Sequence, residues 1–327
     1  MASHKQRVLL LGATGHTGRS ILDGLLEYGK YEVQALVRPS SAEKPEVKKL
    51  VERGVNVVIA DIKGPTEDLV EIQRGIDVTI SAIDAGSIHA QKNLATAAKE
   101  AGVKRFVPCA WITVAPAGGV MVTRDHLNQK EDVYNHIKKL HLPFTVIDVG
   151  FWHQVSFPPV LPSGRFDYAA MLPVNILHGD GERKTVLGDW RDIGRWTARI
   201  LDDERTMNRY VVAWSDSLSE NEIFSLVEDV TGEKLEKQTV SYGELETQRN
   251  EARANYERDP INANFGMRQF TDYQYSKYVR GDNQIEYAKY LGYLDAQGLF
   301  PDFQPIKFRD FLRDLLDGRI EKPHYEM

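Results

Sequence analysis

A lysine in the predicted helix 126–141 lies where a solvent-exposed lysine is not expected. The apolar residues of this helix form one stripe at helical spacing: Leu127, Val133, Tyr134, Ile137 and Leu140. At 100° per residue, Lys130 falls near the middle of that stripe. Because a buried ammonium is costly unless it is paired or neutralised, the position favours a proton donor or acceptor in catalysis. Tyr134, one turn on, is a candidate helper, and a lysine that keeps its head in water is the alternative.

Three glycines separate an apolar run at residues 8–11 from an amphipathic run that begins near Ile21. The apolar run is typical of a buried parallel strand, and the amphipathic run is typical of a helix. Backbone N–H groups at such a turn can bind an anion. Ala13 and Arg19 replace the glycine and lysine of a Walker A loop, so we exclude that loop. The G-x-x-G-x-x-G spacing, after a strand and at the start of a helix, instead predicts a dinucleotide pyrophosphate site; a structural turn is the alternative. Its residues would be Gly12, Thr14, Gly15, His16, Thr17 and Gly18.

The residue after the second predicted strand indicates which nicotinamide nucleotide would bind. NAD-binding proteins have an acidic residue there for the ribose 2′-hydroxyl, whereas this chain has Arg38, followed by Ser40 and Ser41. A guanidinium suits a 2′-phosphate, which a carboxylate would repel. The pattern predicts NADPH rather than NADH, and an exposed surface arginine is the alternative.

Residues at the later strand ends should line the same crevice, since ligands bind at the carboxyl edge of parallel sheets. The candidates for cofactor contact are Asp61 with Ile62, then Ser81, Ala82, Ile83, Gln91, Pro108, Cys109, Ala110 and Trp111, and Lys130 at the reactive end of the nucleotide. An aromatic substrate pocket could be formed by Trp111, Phe151, Trp152, His153 and Phe157. His153 is a candidate second acid or base, and a hydrogen-bonded structural histidine is the alternative.

Other chemistries have weaker support in the sequence. Tyr134 and Lys138, and "YQYSK" at 273–277, have the spacing of the tyrosine–lysine pair of short-chain dehydrogenases. Lys138 shares the polar helix side with Glu131 and Asn135, which favours a solvated lysine, and we attribute the second match to chance. The nine histidines show no H-E-x-x-H or Cys–His spacing, and "GFWHQ" is no lipase elbow, so we expect neither a metal site nor serine hydrolysis.

The elements that must position these residues alternate regularly in the first half. Apolar strands and amphipathic helices follow each other to about residue 155, which predicts an α/β protein with a Rossmann-type doubly wound parallel sheet. We assign residues 1–155 to an NAD(P)-binding domain and 156–327 to a smaller α/β substrate-binding region interleaved with it. In the second half, Ser219 and Glu222 have the spacing of a capping box, and 243–282 is predicted to be helical.

Composition limits the class of partner. The 327 residues carry a net charge of −6 without a basic block, which argues against nucleic acid. No apolar stretch reaches membrane-spanning length, and the apolar run near the N-terminus is too short for a signal peptide. The single cysteine excludes an internal disulfide. We expect a cytoplasmic monomer or homodimer that acts on a small molecule, with no membrane or nucleic-acid partner.

The sequence resembles the NmrA-like, isoflavone reductase-like group of atypical short-chain reductases. The match includes "GATGHTG", "LATAAKEAGVKRFVP", "VYNHIKKLHLPFTVIDVGF" and "GDNQIEYAKYLGYLDAQGLFPDF". The stretch "FVPCAWITVAPAGGVMVTRD" is most similar to the fungal branch, which often serves secondary metabolism. The resemblance implies NADPH at Gly12, Gly15, Gly18 and Arg38, and a catalytic lysine at Lys130. The plant enzymes have P-S-E-F where this chain has "PCAW", so Trp111 changes the expected nicotinamide pocket.

These observations predict an NADPH-dependent reductase of a small aromatic or heterocyclic natural-product intermediate. The reduced group would be C=O, C=N or a conjugated C=C, with Lys130 as general acid or base. Two alternatives remain. One is a non-redox cyclase or isomerase on the same scaffold, and the other is a redox-sensing regulator like NmrA. A regulator has no reason to bury an ammonium at Lys130.

Overall fold

Parallel strands form the centre of the molecule. The computed structural model describes residues 5–114, 124–156, 159–169 and 175–321. The strands are β1 (Gln6–Leu11), β2 (Tyr31–Val37), β3 (Asn56–Ile59), β4 (Val78–Ser81), β5 (Arg105–Val107), β6 (Thr145–Asp148), β7 (Phe151–Trp152), β8 (Ile176–His178), β9 (Thr185–Gly188), β10 (Arg209–Val212), β11 (Asp216–Leu218), β12 (Gln238–Val240) and β13 (Leu294–Asp295).

Helices cover the sheet and form most of the second half. They are α1 (His16–Tyr28), α2 (Pro45–Glu52), α3 (Thr66–Gln73), α4 (Gln91–Ala101), α5 (Arg124–Lys139), α6 (His153–Ser156), α7 (Asp192–Leu201), α8 (Glu220–Thr231), α9 (Tyr242–Arg258), α10 (Asn262–Gln274), α11 (Ile285–Tyr290), α12 (Ala296–Leu299) and α13 (Phe308–Leu316). A π-helical turn, Tyr275–Arg280, continues α10. None of the described helices is both long and apolar enough to span a membrane.

The first five strands form a parallel sheet in the order β3-β2-β1-β4-β5. The order reverses between β1 and β4, which is where ligands bind in doubly wound sheets. Val8, Leu9 and Leu10 of β1 are completely buried, as expected for a strand covered on both faces. The predicted Rossmann-type α/β fold is therefore confirmed.

The sheet continues into strands from later in the chain. Phe106 pairs with Phe144 in a parallel bridge beside β6, and β6 pairs with β10, which pairs with β13, both in parallel. On one face, α7 crosses α1 at backbone contact, because a Cβ on Gly194 would lie 1.7 Å from Ser20 O. Segments beyond residue 155 thus hold the first helix and extend the first sheet.

A second hydrophobic core lies between α8 and α13. Its members include Phe224 of α8 with Phe308 and Phe311 of α13. The predicted capping box is present, since Ser219 Oγ accepts a hydrogen bond from Glu222 N and the Glu222 carboxylate accepts one from Ser219 N. The segment predicted to be helical forms α9, α10 and the π-helical turn.

Candidate active site

The three glycines of the first turn differ in what surrounds them. Gly12 has φ +87°, and a Cβ there would lie 2.1 Å from Ala82 O. A Cβ on Gly18 would lie 1.9 Å from Gly12 O, so both positions need glycine for packing. At Gly15, the nearest atom to a Cβ would be Gly12 O at 3.6 Å. Gly15 is exposed and immediately precedes α1, so the absence of a side chain leaves its backbone open to a ligand.

The groups around this glycine turn favour a negatively charged ligand. The first turn of α1 carries no acidic residue, and its N-terminal N–H groups favour a bound anion. Arg38 follows β2 and is exposed, and its Nε donates a hydrogen bond to Ser41 Oγ at 3.0 Å. Ser40 beside it is also exposed. These groups fit a nucleotide with a pyrophosphate and a 2′-phosphate.

Hydrogen bonds tie the carboxyl ends of β4 and β5 together. Trp111 Nε1 donates to Ser81 O at 3.0 Å, and Cys109 Sγ donates to Ile83 O at 3.3 Å. Cys109 N donates to Gln91 Oε1 at 2.8 Å. Burial raises the pKa of the Cys109 thiol, which makes it a poor nucleophile.

Gln91 and Trp111 were predicted to line the cofactor crevice and the substrate pocket, but both side chains are buried. Gln91 is completely buried, and its amide nitrogen donates to Ile88 O, so it braces the strand ends from inside. Trp111 is 3% exposed, so its ring packs beneath the sheet edge rather than standing in an open pocket. Its φ of +56° is strained for a bulky residue, and such strain concentrates at functional sites.

Lys130 is buried as predicted, with 5% of its surface exposed. Its Nζ donates to Ala110 O at 2.5 Å, at the carboxyl end of β5. Val133 and Ile137 are completely buried on the same helix face. Lys138 is exposed, with its Nζ 3.1 Å from Tyr210 Oη, as expected for a solvated lysine. Lys130 therefore faces the sheet edge and not bulk water.

Asp148 is a further candidate site residue, which sequence reasoning missed. It ends β6, is 5% exposed, and its Oδ2 accepts a hydrogen bond from Tyr293 Oη at 2.7 Å. Oδ1 has no hydrogen-bond partner among the described residues. Burial raises the pKa of this carboxyl to about 7, although the Tyr293 hydrogen bond and the Lys130 charge lower it. The position at a strand end was the signal that could have identified it.

Tyr134 lies one turn after Lys130 in α5 and is buried against the same edge of the sheet. It is 4% exposed, and its hydroxyl is 3.5 Å from Cys109 O, which places it at the limit of a hydrogen bond. Burial, followed by the charge of Asp148, raises the pKa of Tyr134 well above 10. The hydroxyl supports the Cys109 backbone and is poorly suited to release a proton.

The structure does not bring the residues of the predicted aromatic pocket together. Trp152 packs edge-on against Trp190, with ring centres 6.5 Å apart, and Trp190 stacks on His16 of the glycine turn at 4.7 Å. Phe151 instead contacts Tyr273 of α10 at 5.7 Å. Phe157 lies outside the described residues. Among the described members of the predicted pocket, Trp152 is linked to the glycine turn through the Trp190 ring.

His153 lies in the second core and not in a pocket. It is completely buried, and its ring lies 5.3 Å from each of the Phe308 and Phe311 rings. Its Nε2 is 3.1 Å from Ser215 Oγ, and its Nδ1 is 3.7 Å from Asp189 Oδ2. His153 therefore fits the description of a hydrogen-bonded structural histidine and not that of a second acid or base, since no substrate reaches a completely buried ring.

A cavity of about 430 Å³ opens at the carboxyl edge beside β3 and β4. Gln129, the neighbour of Lys130, and Phe265 of α10 line it together with Lys63, Gly86, Ser87, His89 and Ala90. Asp61 is exposed nearby in sequence and its Oδ1 accepts from Lys63 N at 2.9 Å, whereas Ile62 and Pro108 are buried. The second half of the chain thus forms one wall of a cavity next to the lysine helix.

Known proteins match this chain over nearly its whole length. The sequence model of the NmrA-like family matches residues 4–278. The chain is 42% identical to asnovolin J 5′,6′-dehydrogenase of Aspergillus novofumigatus over 319 residues, 95% of each chain. It is 28% identical to a phenylcoumaran benzylic ether reductase of Pyrus communis, covering 97% of this chain and 100% of that one. The leucoanthocyanidin reductase–NADPH complex of Vitis vinifera superposes with a TM-score of 0.79 at 22% identity, covering 95% of this chain and 99% of that one.

Proposed function

The chain belongs to the NmrA-like family, and we propose that it is an NADPH-dependent oxidoreductase of an aromatic or heterocyclic natural-product intermediate. The observation that carries the proposal is the burial of Lys130 of α5, whose amine donates to Ala110 O beyond the carboxyl end of β5, at the sheet edge that the glycine turn also borders. A binding protein would gain nothing from a buried ammonium there, whereas an enzyme needs a proton donor or acceptor at that edge.

The cofactor would be held by the groups already described. The turn Gly12–Gly18 would bind the pyrophosphate at the N-terminus of α1, while Arg38 and Ser40 would bind the 2′-phosphate. Open space at Gly15 and the absence of an acidic residue from the first turn of α1 support this fit. When bound, NADPH supplies a hydride to the substrate, or NADP⁺ accepts one.

Lys130 would move the proton that accompanies the hydride. The Ala110 carbonyl fixes the direction of its amine, and burial excludes bulk water from it. In reduction, the ammonium donates a proton to the substrate atom that gains negative charge; in dehydrogenation, the amine removes it. One positioned lysine therefore serves both reaction directions.

Among the three acceptor groups, we favour a conjugated C=C. The relative at 42% identity is named a 5′,6′-dehydrogenase, and the relative at 28% identity is named a reductase. Lys130 can protonate the enolate oxygen or carbon that forms when hydride adds to a C=C conjugated with a carbonyl.

The test is a turnover assay with Lys130→Met. Purified protein is incubated with NADP⁺ and asnovolin J, or with NADPH and the corresponding unsaturated product, and absorbance at the nicotinamide band is followed. We expect Lys130→Met to lower kcat by roughly 10²–10⁴-fold, the usual contribution of a positioned general acid. NADPH affinity, measured by fluorescence titration, should be unchanged.

Lys138→Met is the matched control, because Lys138 lies two turns further along α5 and is exposed. It should keep full activity. Full activity in Lys130→Met would refute the role of the lysine. Substrate conversion without an absorbance change would instead indicate the non-redox cyclase or isomerase.

A further inference from the structure

A second buried lysine lies in the stretch "YQYSK" at 273–277, which has the spacing of a tyrosine–lysine pair. Its last residue, Lys277, is 3% exposed. It lies in the π-helical turn Tyr275–Arg280 that follows α10. Turns of this type are rare and are frequent at functional sites. Lys277 therefore needs an explanation that chance spacing does not give.

The amine of Lys277 is surrounded by rings. Its Nζ lies 3.7 Å from the centre of the Phe151 ring and 4.8 Å from that of Tyr278. Aromatic faces attract an ammonium but accept its hydrogen bonds only weakly. Lys277 has no hydrogen bond or ion pair with any residue that the structure describes. Its three donors are thus without strong acceptors in this part of the chain.

Glu220, the acidic residue whose charge acts on Lys277, is hydrogen-bonded to another residue. Glu220 Oε1 lies 2.8 Å from His178 Nδ1, and Glu220 Oε2 accepts from His178 N at 2.7 Å. The His178 ring stacks on Tyr278 at 4.7 Å. Burial lowers the pKa of Lys277 to about 7, and the charge of Glu220 opposes this only in part. Tyr278 is also buried, and its pKa is raised well above 10 by burial.

The helix before Lys277 also reaches the cavity beside the lysine helix. Phe265 of α10 lines that cavity together with Gln129, and the π-helical turn that holds Lys277 continues α10. Tyr273, one turn before Lys277, packs on the same Phe151 ring. Aromatic walls with one convergent polar group are typical of small-molecule sites.

We propose that Lys277 binds an anionic oxygen of the substrate, such as a carboxylate, phenolate or enolate, against the Phe151 ring. The inference rests on the proposed function, and it narrows the substrate to aromatic molecules that carry an acidic oxygen. Lys277 is then a specificity-determining residue, separate from the proton transfer at Lys130. A charge-assisted hydrogen bond to the substrate would satisfy the amine that the described residues leave without an acceptor.

The first test needs no turnover. A lysine kept for binding costs folding stability, so Lys277→Met should have a higher Tm than the wild type, whereas a structural lysine would give a lower one. The unfolded state holds more protons on Lys277 between pH 7 and 10, so wild-type stability gains a contribution that rises with pH there. The variant should lose that contribution. Lys49→Met, at an exposed position in α2, is the control.

The second test measures binding of cinnamate and its uncharged methyl ester by calorimetry, with NADPH present. We expect the wild type to bind cinnamate roughly tenfold more tightly than the ester, and Lys277→Met to bind both equally. A lower Tm for Lys277→Met, or equal binding of acid and ester by the wild type, would overturn the inference. Neither readout depends on hydride transfer, so failure of the proposed function would appear separately, in the Lys130→Met assay.

Discussion

Single residues decide the chemistry at the sheet edge, and they differ in how far the sequence reveals them. Lys130 could be predicted because a charged residue interrupts an apolar helical stripe. Asp148 ends β6 in the same way that other candidates end earlier strands, but its partner Tyr293 lies 145 residues away. No local pattern connects two residues at that separation. His153 shows the opposite error, since residue type alone does not distinguish a core histidine from a catalytic one.

Arg38 is expected to select the nucleotide. Arg38→Ala removes the donors for a 2′-phosphate, so NADPH should bind roughly tenfold or more weakly, while NADH binding changes little. Fluorescence titration with both nucleotides measures the difference. Arg53→Ala is the control, because Arg53 is also exposed but pairs with Asp23 at 2.6 Å. Equal losses for the two nucleotides would contradict the role of Arg38.

Asp148 makes stability depend on pH. Because burial raises its pKa to about 7, the folded state holds more protons on this carboxyl than the unfolded state between pH 4 and 7. Its contribution to the free energy of unfolding therefore falls as pH rises through that window, by up to about 4 kcal/mol. The Asp148→Asn variant should not show this decrease in the free energy of unfolding. Urea unfolding of both proteins at pH 5 and pH 8 measures it. Identical pH dependence in the variant and the wild type would exclude a buried titrating carboxyl.

At the scale of elements, the sequence predicts what depends on long local patterns. The strands β1 and β2, the helices of the first half and the capping box of α8 all follow from apolar periodicity and end signals. The strands β8, β11 and β12 have only three residues each, too few to show an alternating pattern. They form because distant segments pair, as β8 does with β12.

The glycine turn allows a paired test at this scale. Gly15→Ala should fold with an unchanged Tm, because nothing lies closer than 3.6 Å to the added Cβ. Its NADPH affinity should fall roughly tenfold or more, since the methyl group stands at the open face where the backbone would contact the pyrophosphate. Gly12→Ala should instead lower Tm, because its Cβ would meet Ala82 O at 2.1 Å. Unchanged NADPH affinity in Gly15→Ala would contradict the assignment of this turn.

At the scale of the whole molecule, the two halves of the chain share one structure. The predicted division at residue 155 does not capture α7, which packs on α1, or β10 and β13, which extend the first sheet. Phe265 brings α10 to the cavity beside Gln129. These contacts join residues that are far apart in the chain, such as Ser20 with Gly194 and Thr145 with Arg209, so composition and periodicity could indicate interleaving but not its geometry. Both halves of the chain hold the glycine turn and the lysine helix at one edge of the sheet.

Isotope transfer tests the central claim most directly. The protein is incubated in D₂O with the unsaturated compound of the turnover assay and with NADPH deuterated at both C4 positions. The reduced product is then analysed by mass spectrometry. We predict one deuterium from the nicotinamide and a second from the solvent through Lys130, and almost no labelled product from Lys130→Met. Product formed without the nicotinamide deuterium, or labelled equally fast by Lys130→Met, would contradict a hydride-transferring enzyme with Lys130 as its proton donor.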